Sequence, residues 1–279
     1  MLAYTAERRR IFRALHESGC FVIPNPWDAG SARYLEHLGF KALATTSSGA
    51  AWAMGLPDNA VGLEAMLAHL GAIVPATTLP VNADFENGYA DEPDGVAANV
   101  ARAVETGVAG LSIEDSTGRS DHPLYDLPQA VERIKAARKA IDRSKSGVLL
   151  TARAECFLVG HADPLNESVR RLQAYAAAGA DCLYAPGVKT PEQIATVVKA
   201  VAPKPVNVLT VVSDMPVATF AGLGVRRISV GGALARAAWG EFMRVAKEIA
   251  VAGSFAGFSR AAPFAEINGF FASEAKRRG

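Results

Sequence analysis

Three acids placed close in chain order raise the first chemical possibility. In Val81-Asn82-Ala83-Asp84-Phe85-Glu86-Asn87-Gly88 an apolar run ends at Asp84, and a second acid follows two residues later. Residues i and i+2 share a face on an extended backbone, so Asp84 and Glu86 are expected to point the same way. Glu114 closes the next apolar run and is expected to face them. Three such carboxylates repel one another unless a cation joins them, and hard oxygen donors suit Mg2+ or Mn2+. The competing reading is a pair of solvated turn acids with Glu114 paired to an arginine.

Arg153 ends the run Leu149-Leu150-Thr151-Ala152-Arg153, with Glu155 two residues on. A guanidinium there needs an anion. That anion is Glu155 or Glu114 in a salt bridge, or a substrate carboxylate in a bidentate fork; the residues leave both open. Thr45-Thr46-Ser47-Ser48-Gly49 offers hydroxyls and backbone N–H groups to a carboxylate or phosphate, or else caps a helix. Gly231-Gly232 could cradle an anion in the same way. His122 and His161 sit in loops as candidate proton carriers. Cys20, Cys156 and Cys182 are widely spaced, show no CxxC pattern, and read as packing residues, Cys156 facing away from the acids.

These residues must be positioned by a repeated unit. Apolar runs followed by helical patterns recur eight times: 20–24 with a helix at 29–38, 42–46 with 62–73, 79–84 with 96–105, and 110–114 with 128–141. The series continues with 147–153 and 164–178, 181–185 and 191–201, 205–210 and 216–223, and 226–230 and 233–251. Continuous apolar strands fit a parallel sheet covered on both faces. Gly39, Gly107, Gly179 and Gly224 stand where helices should stop, and Pro128, Pro164, Pro191 and Pro216 where helices should start. Eight such units predict one (β/α)8 TIM barrel over residues 1–279, with its chemistry at the strand C-terminal ends. Two pieces lie outside the repeat. An added N-terminal helix, Tyr4–Ser18, is expected to plug the barrel bottom. A C-terminal helical extension, Ser254–Gly279, carries Phe264, Phe270 and Phe271, and either packs on its own barrel or is swapped to a neighbouring subunit.

Composition narrows the partners. The 279 residues are 50% hydrophobic and 20% charged, with a net charge of +1 and no run of like charge, which argues against nucleic acid or an anionic membrane surface. No stretch approaches the roughly 18 apolar residues of a membrane span. The N-terminus lacks a signal-peptide core, and the sparse cysteines suit a reducing compartment, so the cytoplasm is expected.

The motifs taken in order, Pro24-Asn25-Pro26-Trp27-Asp28-Ala29-Gly30-Ser31-Ala32, Gly55-Leu56-Pro57-Asp58, Asp84-Phe85-Glu86-Asn87-Gly88-Tyr89, Ser112-Ile113-Glu114-Asp115-Ser116 and Thr151-Ala152-Arg153-Ala154-Glu155, resemble the isocitrate lyase / phosphoenolpyruvate mutase superfamily. The likeness spans about Asn25 to Trp239. It implies a barrel that binds Mg2+ through Asp84 and Glu114, with Asn82 where the best-known members carry the first acid of Asp-x-Asp and Glu86 as an added acid. It also implies a 2-oxo acid chelated to the metal, its carboxylate held by Thr46, Ser47, Ser48 and Arg153. Asp58 matches a family acid near the reacting centre, and Asn207 a family asparagine. A tetramer with a swapped C-terminal helix is implied as well.

One departure is plain. Ser116-Thr117-Gly118-Arg119-Ser120-Asp121-His122 lacks the cysteine loop of the carbon–carbon lyases and the Lys and Asn of the mutases and phosphonopyruvate hydrolases. The resulting expectation is a Mg2+-dependent enzyme that breaks a C–C or P–C bond of a small 2-oxo carboxylate through a stabilised enolate, as in oxaloacetate decarboxylation. Asp58 and His122 are its candidate acid/bases. Phosphoenolpyruvate mutase or phosphonopyruvate hydrolase chemistry, and a non-catalytic 2-oxo acid binder, are the alternatives.

Overall fold

The structure, a computed structural model, describes residues 2–211 and 214–278. Gly279, the last residue of the expected extension, lies outside the described residues. The chain falls into two compact units, Met1–Gly232 and Ala233–Gly279.

The first unit holds eight parallel strands in the order β1-β8-β7-β6-β5-β4-β3-β2. They are β1 (Phe21–Ile23), β2 (Leu43–Ala44), β3 (Val81–Asp84), β4 (Gly110–Glu114), β5 (Leu149–Arg153), β6 (Cys182–Tyr184), β7 (Val206–Leu209) and β8 (Arg227–Ser229). The Ala44 N–H donates to the Pro24 carbonyl at 3.1 Å, and the Asn25 side-chain amide to the Thr45 carbonyl at 2.8 Å, joining β2 to β1 and rounding off the expected (β/α)8 barrel. Its helices are α1 (Leu2–Leu15), α2 (Ala29–His37), α3 (Ser47–Ala53), α4 (Leu63–Ile73), α5 (Pro93–Glu105), α6 (Leu127–Arg143), α7 (Pro164–Ala177), α8 (Pro191–Val201) and α9 (Val217–Gly222).

The punctuation read from sequence performs as expected. Gly39, Gly107, Gly179 and Gly224 follow helix ends with φ of 85°, 91°, 103° and 86°, a region open to glycine at little cost. Pro164 and Pro191 open their helices, and Pro128 sits in the first turn of α6. One element was not expected. β2 stops at Ala44 because Thr46 turns the chain into α3, its hydroxyl accepting the Gly49 N–H.

The barrel bottom is closed as the N-terminal helix predicted. Phe12 of α1 is fully buried with Ile23, Ala42, Ala109, Leu149 and Cys182, residues in or beside the strands. Gly110 leaves the room: a Cβ there would stand 2.5 Å from the Phe12 ring and 2.7 Å from the Asn82 amide oxygen.

The second unit contains α10 (Ala233–Ala252), a 3-10 turn (Ala256–Arg260) and α11 (Phe264–Arg278). α10 is the eighth helix that the repeat predicted. Phe242, Met243, Phe255, Phe258 and Phe264 are exposed there.

Candidate active site

A cavity of about 180 Å3 opens among the strand C-terminal ends. Asp58, Asp84, Arg153, Thr46, Ser47, Ser48 and Asn207 all line it, so seven residues singled out from sequence converge on one space.

Arg153 organises the acids. Glu114 and Arg153 are register partners on β4 and β5. The guanidinium reaches Asp84 Oδ1 at 2.7 Å through Nη1, Glu114 Oε2 at 3.0 Å through Nη2 and Glu155 Oε1 at 2.8 Å through Nε. Its ring neighbour is Tyr184, 5.2 Å from the guanidinium carbon. Burial opposes the Arg153 charge, but Glu114, Glu155 and Asp84 outweigh it and hold the group protonated. The sequence left Arg153 between a protein carboxylate and a substrate carboxylate. The structure gives it three protein carboxylates, one each on Nε, Nη1 and Nη2, while the side chain still lines the cavity.

Asp84 is the best anchored acid. Its backbone N–H donates to the Thr45 hydroxyl at 2.9 Å, and its Oδ2 accepts the Ser47 N–H at 3.0 Å. One N–H of the Thr46–Ser48 turn, that of Ser47, therefore holds the Asp84 carboxylate. Thr46 is spent as helix cap, with its hydroxyl 3.1 Å from that of Ser48.

Glu86 departs from the expected geometry. The strand ends at Asp84, and Glu86 has φ of 44°, so the two acids do not sit on one extended face. Glu86 is buried and borders a second cavity of about 320 Å3, with Asn59, Tyr89, Glu114 and Ser116. Burial, then the charges of Asp84 and Asp58, push its carboxyl up to about 7. Neither Glu86 Oε1 nor the neighbouring Tyr89 hydroxyl makes a well-formed hydrogen bond. Glu114 is also raised by burial, against the pull of Arg153 and with the push of Glu155, Asp84 and Glu86.

Asp58 lies on the exposed segment after α3 yet faces the acids; partial burial and the charge of Asp84 raise its carboxyl. Asn207 is buried, its amide donating to the Ser229 hydroxyl at 3.0 Å. His122 is exposed, tied through its backbone carbonyl to the Thr117 hydroxyl, and borders neither cavity, so its expected catalytic place is not supported by position. Cys156 is fully buried with its thiol pushed up to about 11 by burial, as a packing residue should be.

Among the described residues no three acid, histidine or cysteine side chains already form a ready ion cage. The donor chemistry nonetheless fits a hard divalent cation. Asp84, Glu114 and Glu155 share one guanidinium, Asp58 and Glu86 lie near enough to feel the charge of Asp84, and a buried acceptor, Glu86 Oε1, is left unpaired. A group of acids this far in excess of its cation gains from further positive charge.

Asn25, at the first strand end, lines the cavity as well, and Arg227 adds to the sequence-based set. Asn25 Oδ1 accepts the N–H groups of Val230 and Gly231, both at 2.9 Å, pinning the last strand end to the first. Arg227 lines the same cavity from the start of β8. Its period-2 spacing from Ser229 is the signal that places it inside the barrel.

The fold and these residues define a barrel enzyme scaffold with an acid-rich mouth. The chain belongs to the phosphoenolpyruvate phosphomutase family, which it matches over residues 12–250. It is 48% identical to a Burkholderia cenocepacia J2315 protein provisionally named a lyase/mutase, over 96% of this chain and 98% of that one, with a TM-score of 0.93. It is 30% identical to an oxaloacetate decarboxylase from Bradyrhizobium diazoefficiens, over 71% of this chain and 69% of the relative. A phosphonopyruvate hydrolase solved with oxalate and Mg2+ superposes with a TM-score of 0.84 at 26% identity, over 97% of each chain.

Proposed function

We propose that this chain is a divalent-metal-dependent lyase that decarboxylates or cleaves a small 2-oxo carboxylate such as oxaloacetate. The observation that carries the reading is the set of acids gathered on Arg153 beside a small cavity at the strand C-terminal ends. Asp84, Glu86 and Glu114 would hold Mg2+, with Mn2+ as a substitute. A bound cation supplies Lewis-acid polarisation of the 2-oxo group.

The chain's own residues do the rest. Arg153 fixes Asp84 and Glu114 at short distance, so neither needs to reorganise when substrate arrives. The Ser47 N–H holds the second oxygen of Asp84. Loss of CO2 leaves an electron pair on the substrate that must be protonated at carbon. Asp58, which lines the cavity with a raised carboxyl, would hold that proton. Decarboxylation needs no protein nucleophile, which agrees with a Ser116–His122 loop that carries neither cysteine nor lysine. Three free cysteines and the exposed aromatic residues of α10 and α11 support a cytoplasmic homo-oligomer, a tetramer by family likeness.

The test is pyruvate release from oxaloacetate in Mg2+ by wild type and Asp84→Asn. Loss of about 100-fold or more in kcat/KM with Asp84→Asn is expected, together with weakened Mg2+ binding by calorimetry. Turnover that survives chelation, or Mg2+ affinity untouched by the substitution, would overturn the reading. Phosphonopyruvate in the same assay reports on the P–C alternative.

A further inference from the structure

A second guanidinium sits in the same cavity under different conditions. Arg227 opens β8 and sits deeper than Arg153, its guanidinium reaching Thr151, which precedes Arg153 by two residues on β5. Arg227 is buried. Its Nε donates to Asn207 Oδ1 at 2.8 Å, its Nη2 to Thr151 Oγ1 at 3.1 Å, and its Nη1 lies 3.3 Å from His16 Nε2.

Every one of these partners is neutral. His16 Nδ1 is 2.7 Å from the Phe12 carbonyl, so that nitrogen carries the hydrogen and Nε2 is left to accept from Arg227. Burial and the charge of Arg227 hold the imidazole down at about 3, which keeps it uncharged. No carboxylate among the described residues pairs with Arg227. A guanidinium has five N–H donors, so two remain for something else. Arg8 and Arg133 are also buried without a carboxylate, but their partners are backbone carbonyls and neither borders the cavity.

A buried cation with only neutral partners is costly unless an anion reaches it. The cavity offers that route, since it runs from Asp84 and Asp58 down to Arg227 and is otherwise walled there by neutral groups such as Asn82, Ser112 and Ser229. Its volume of about 180 Å3 suits a small acid and is below that of drug-sized pockets. We propose that Arg227 forms an oxyanion subsite at the cavity floor, which takes the far carboxylate of a four- or five-carbon 2-oxo dicarboxylate or a free oxyanion such as sulfate. The dicarboxylate assignment rests on the 2-oxo acid reading of the mouth; the subsite itself does not.

Calorimetry on wild type and Arg227→Gln tests it with four probes: 2-oxoglutarate, the matched monocarboxylate 2-oxovalerate, oxalate and sulfate. Wild type should bind 2-oxoglutarate about tenfold or more tighter than 2-oxovalerate, and Arg227→Gln should erase that ratio while oxalate changes less than about twofold. Sulfate binding that Arg227→Gln abolishes, with no preference for the dicarboxylate, upholds the subsite and assigns it to a free anion. If Arg227→Gln alters neither sulfate nor dicarboxylate affinity, the proposal is overturned. Sulfate binding that depends on Arg227 in a protein that binds no oxalate would instead sink the 2-oxo acid reading and leave the subsite standing. Should Arg227→Gln fail to fold, selenate soaked into wild-type crystals reads the same site. An anomalous selenium peak against the Arg227 guanidinium upholds the subsite, and its absence at saturating selenate overturns it.

Discussion

Two arginines share one cavity and live by opposite rules. Arg153 at the mouth is ringed by Asp84, Glu114 and Glu155 at 2.7 to 3.0 Å. Arg227 at the floor has an amide, a hydroxyl and a neutral imidazole. The first arrangement fixes acids in place; its cation is their counter-charge, and the local excess is negative. The second leaves positive charge unspent. A ligand that is electron-rich at both ends, with one end toward a cation held by the acids and the other toward a bare guanidinium, satisfies both regions at once.

Breaking the mouth should have the largest effect. Arg153→Met removes the charge shared by three buried or nearly buried carboxylates, and about 3–5 kcal/mol of stability should go with it in urea unfolding at neutral pH. Part of that loss should return with millimolar Mg2+, which can stand in for the missing cation. Arg227→Met, with neutral partners, should cost only about 1–2 kcal/mol in the absence of anions. Equal losses for the two substitutions would erase the distinction between the regions.

How much of this was legible beforehand follows the same division. The strand ends were readable because apolar runs stop at polar residues: Asp84, Glu114 and Arg153 stood out, and all three meet. The helix stops at Gly39, Gly107, Gly179 and Gly224 were readable because a left-handed turn demands that residue. Three things were not. The turn at Glu86, with φ of 44°, hides in a sequence that looks extended, so the shared face of Asp84 and Glu86 did not form. Arg153's choice of partner depended on which acids three different strands deliver, a long-range fact that spacing along one strand does not carry. Arg227 stands at a strand start rather than a C-terminal end, and its partners Asn207, His16 and Thr151 come from three other segments.

The floor makes its own prediction in acid. The folded His16 titrates near 3, below the ordinary value near 6.5, so the folded state resists a proton that the unfolded chain accepts. Stability from this group is present above about pH 6.5 and is lost as pH falls toward 3, by about 2–4 kcal/mol across that window. His16→Gln, which cannot charge, should flatten that limb of the curve. If its pH dependence matches that of wild type, the imidazole is not where the acid sensitivity lies. Gly110→Ala should follow in size, because its methyl would meet the Phe12 ring at 2.5 Å. A cost of about 1–3 kcal/mol is expected, and a Phe12→Leu partner substitution should recover part of it.

The smallest effect is the most discriminating. Thr45 and Thr151 are both fully buried, and each offers a hydroxyl to one region: Thr45 accepts the Asp84 N–H at the mouth, and Thr151 accepts from Arg227 at the floor. Replacing either by valine removes one acceptor at nearly constant volume and should cost about 1 kcal/mol. The two variants should part company when sulfate is added. Thr151→Val leaves a third Arg227 N–H without a partner, which an oxyanion at the floor can engage, so its deficit relative to wild type should shrink in sulfate but not in an equal ionic strength of a weakly coordinating salt. Thr45→Val exposes a need at Asp84 that an anion cannot meet, and its deficit should stay. Parallel behaviour of the two valine variants in thermal unfolding would mean that both threonines serve the barrel wall alone, and that the floor differs from the mouth in charge but not in what it binds.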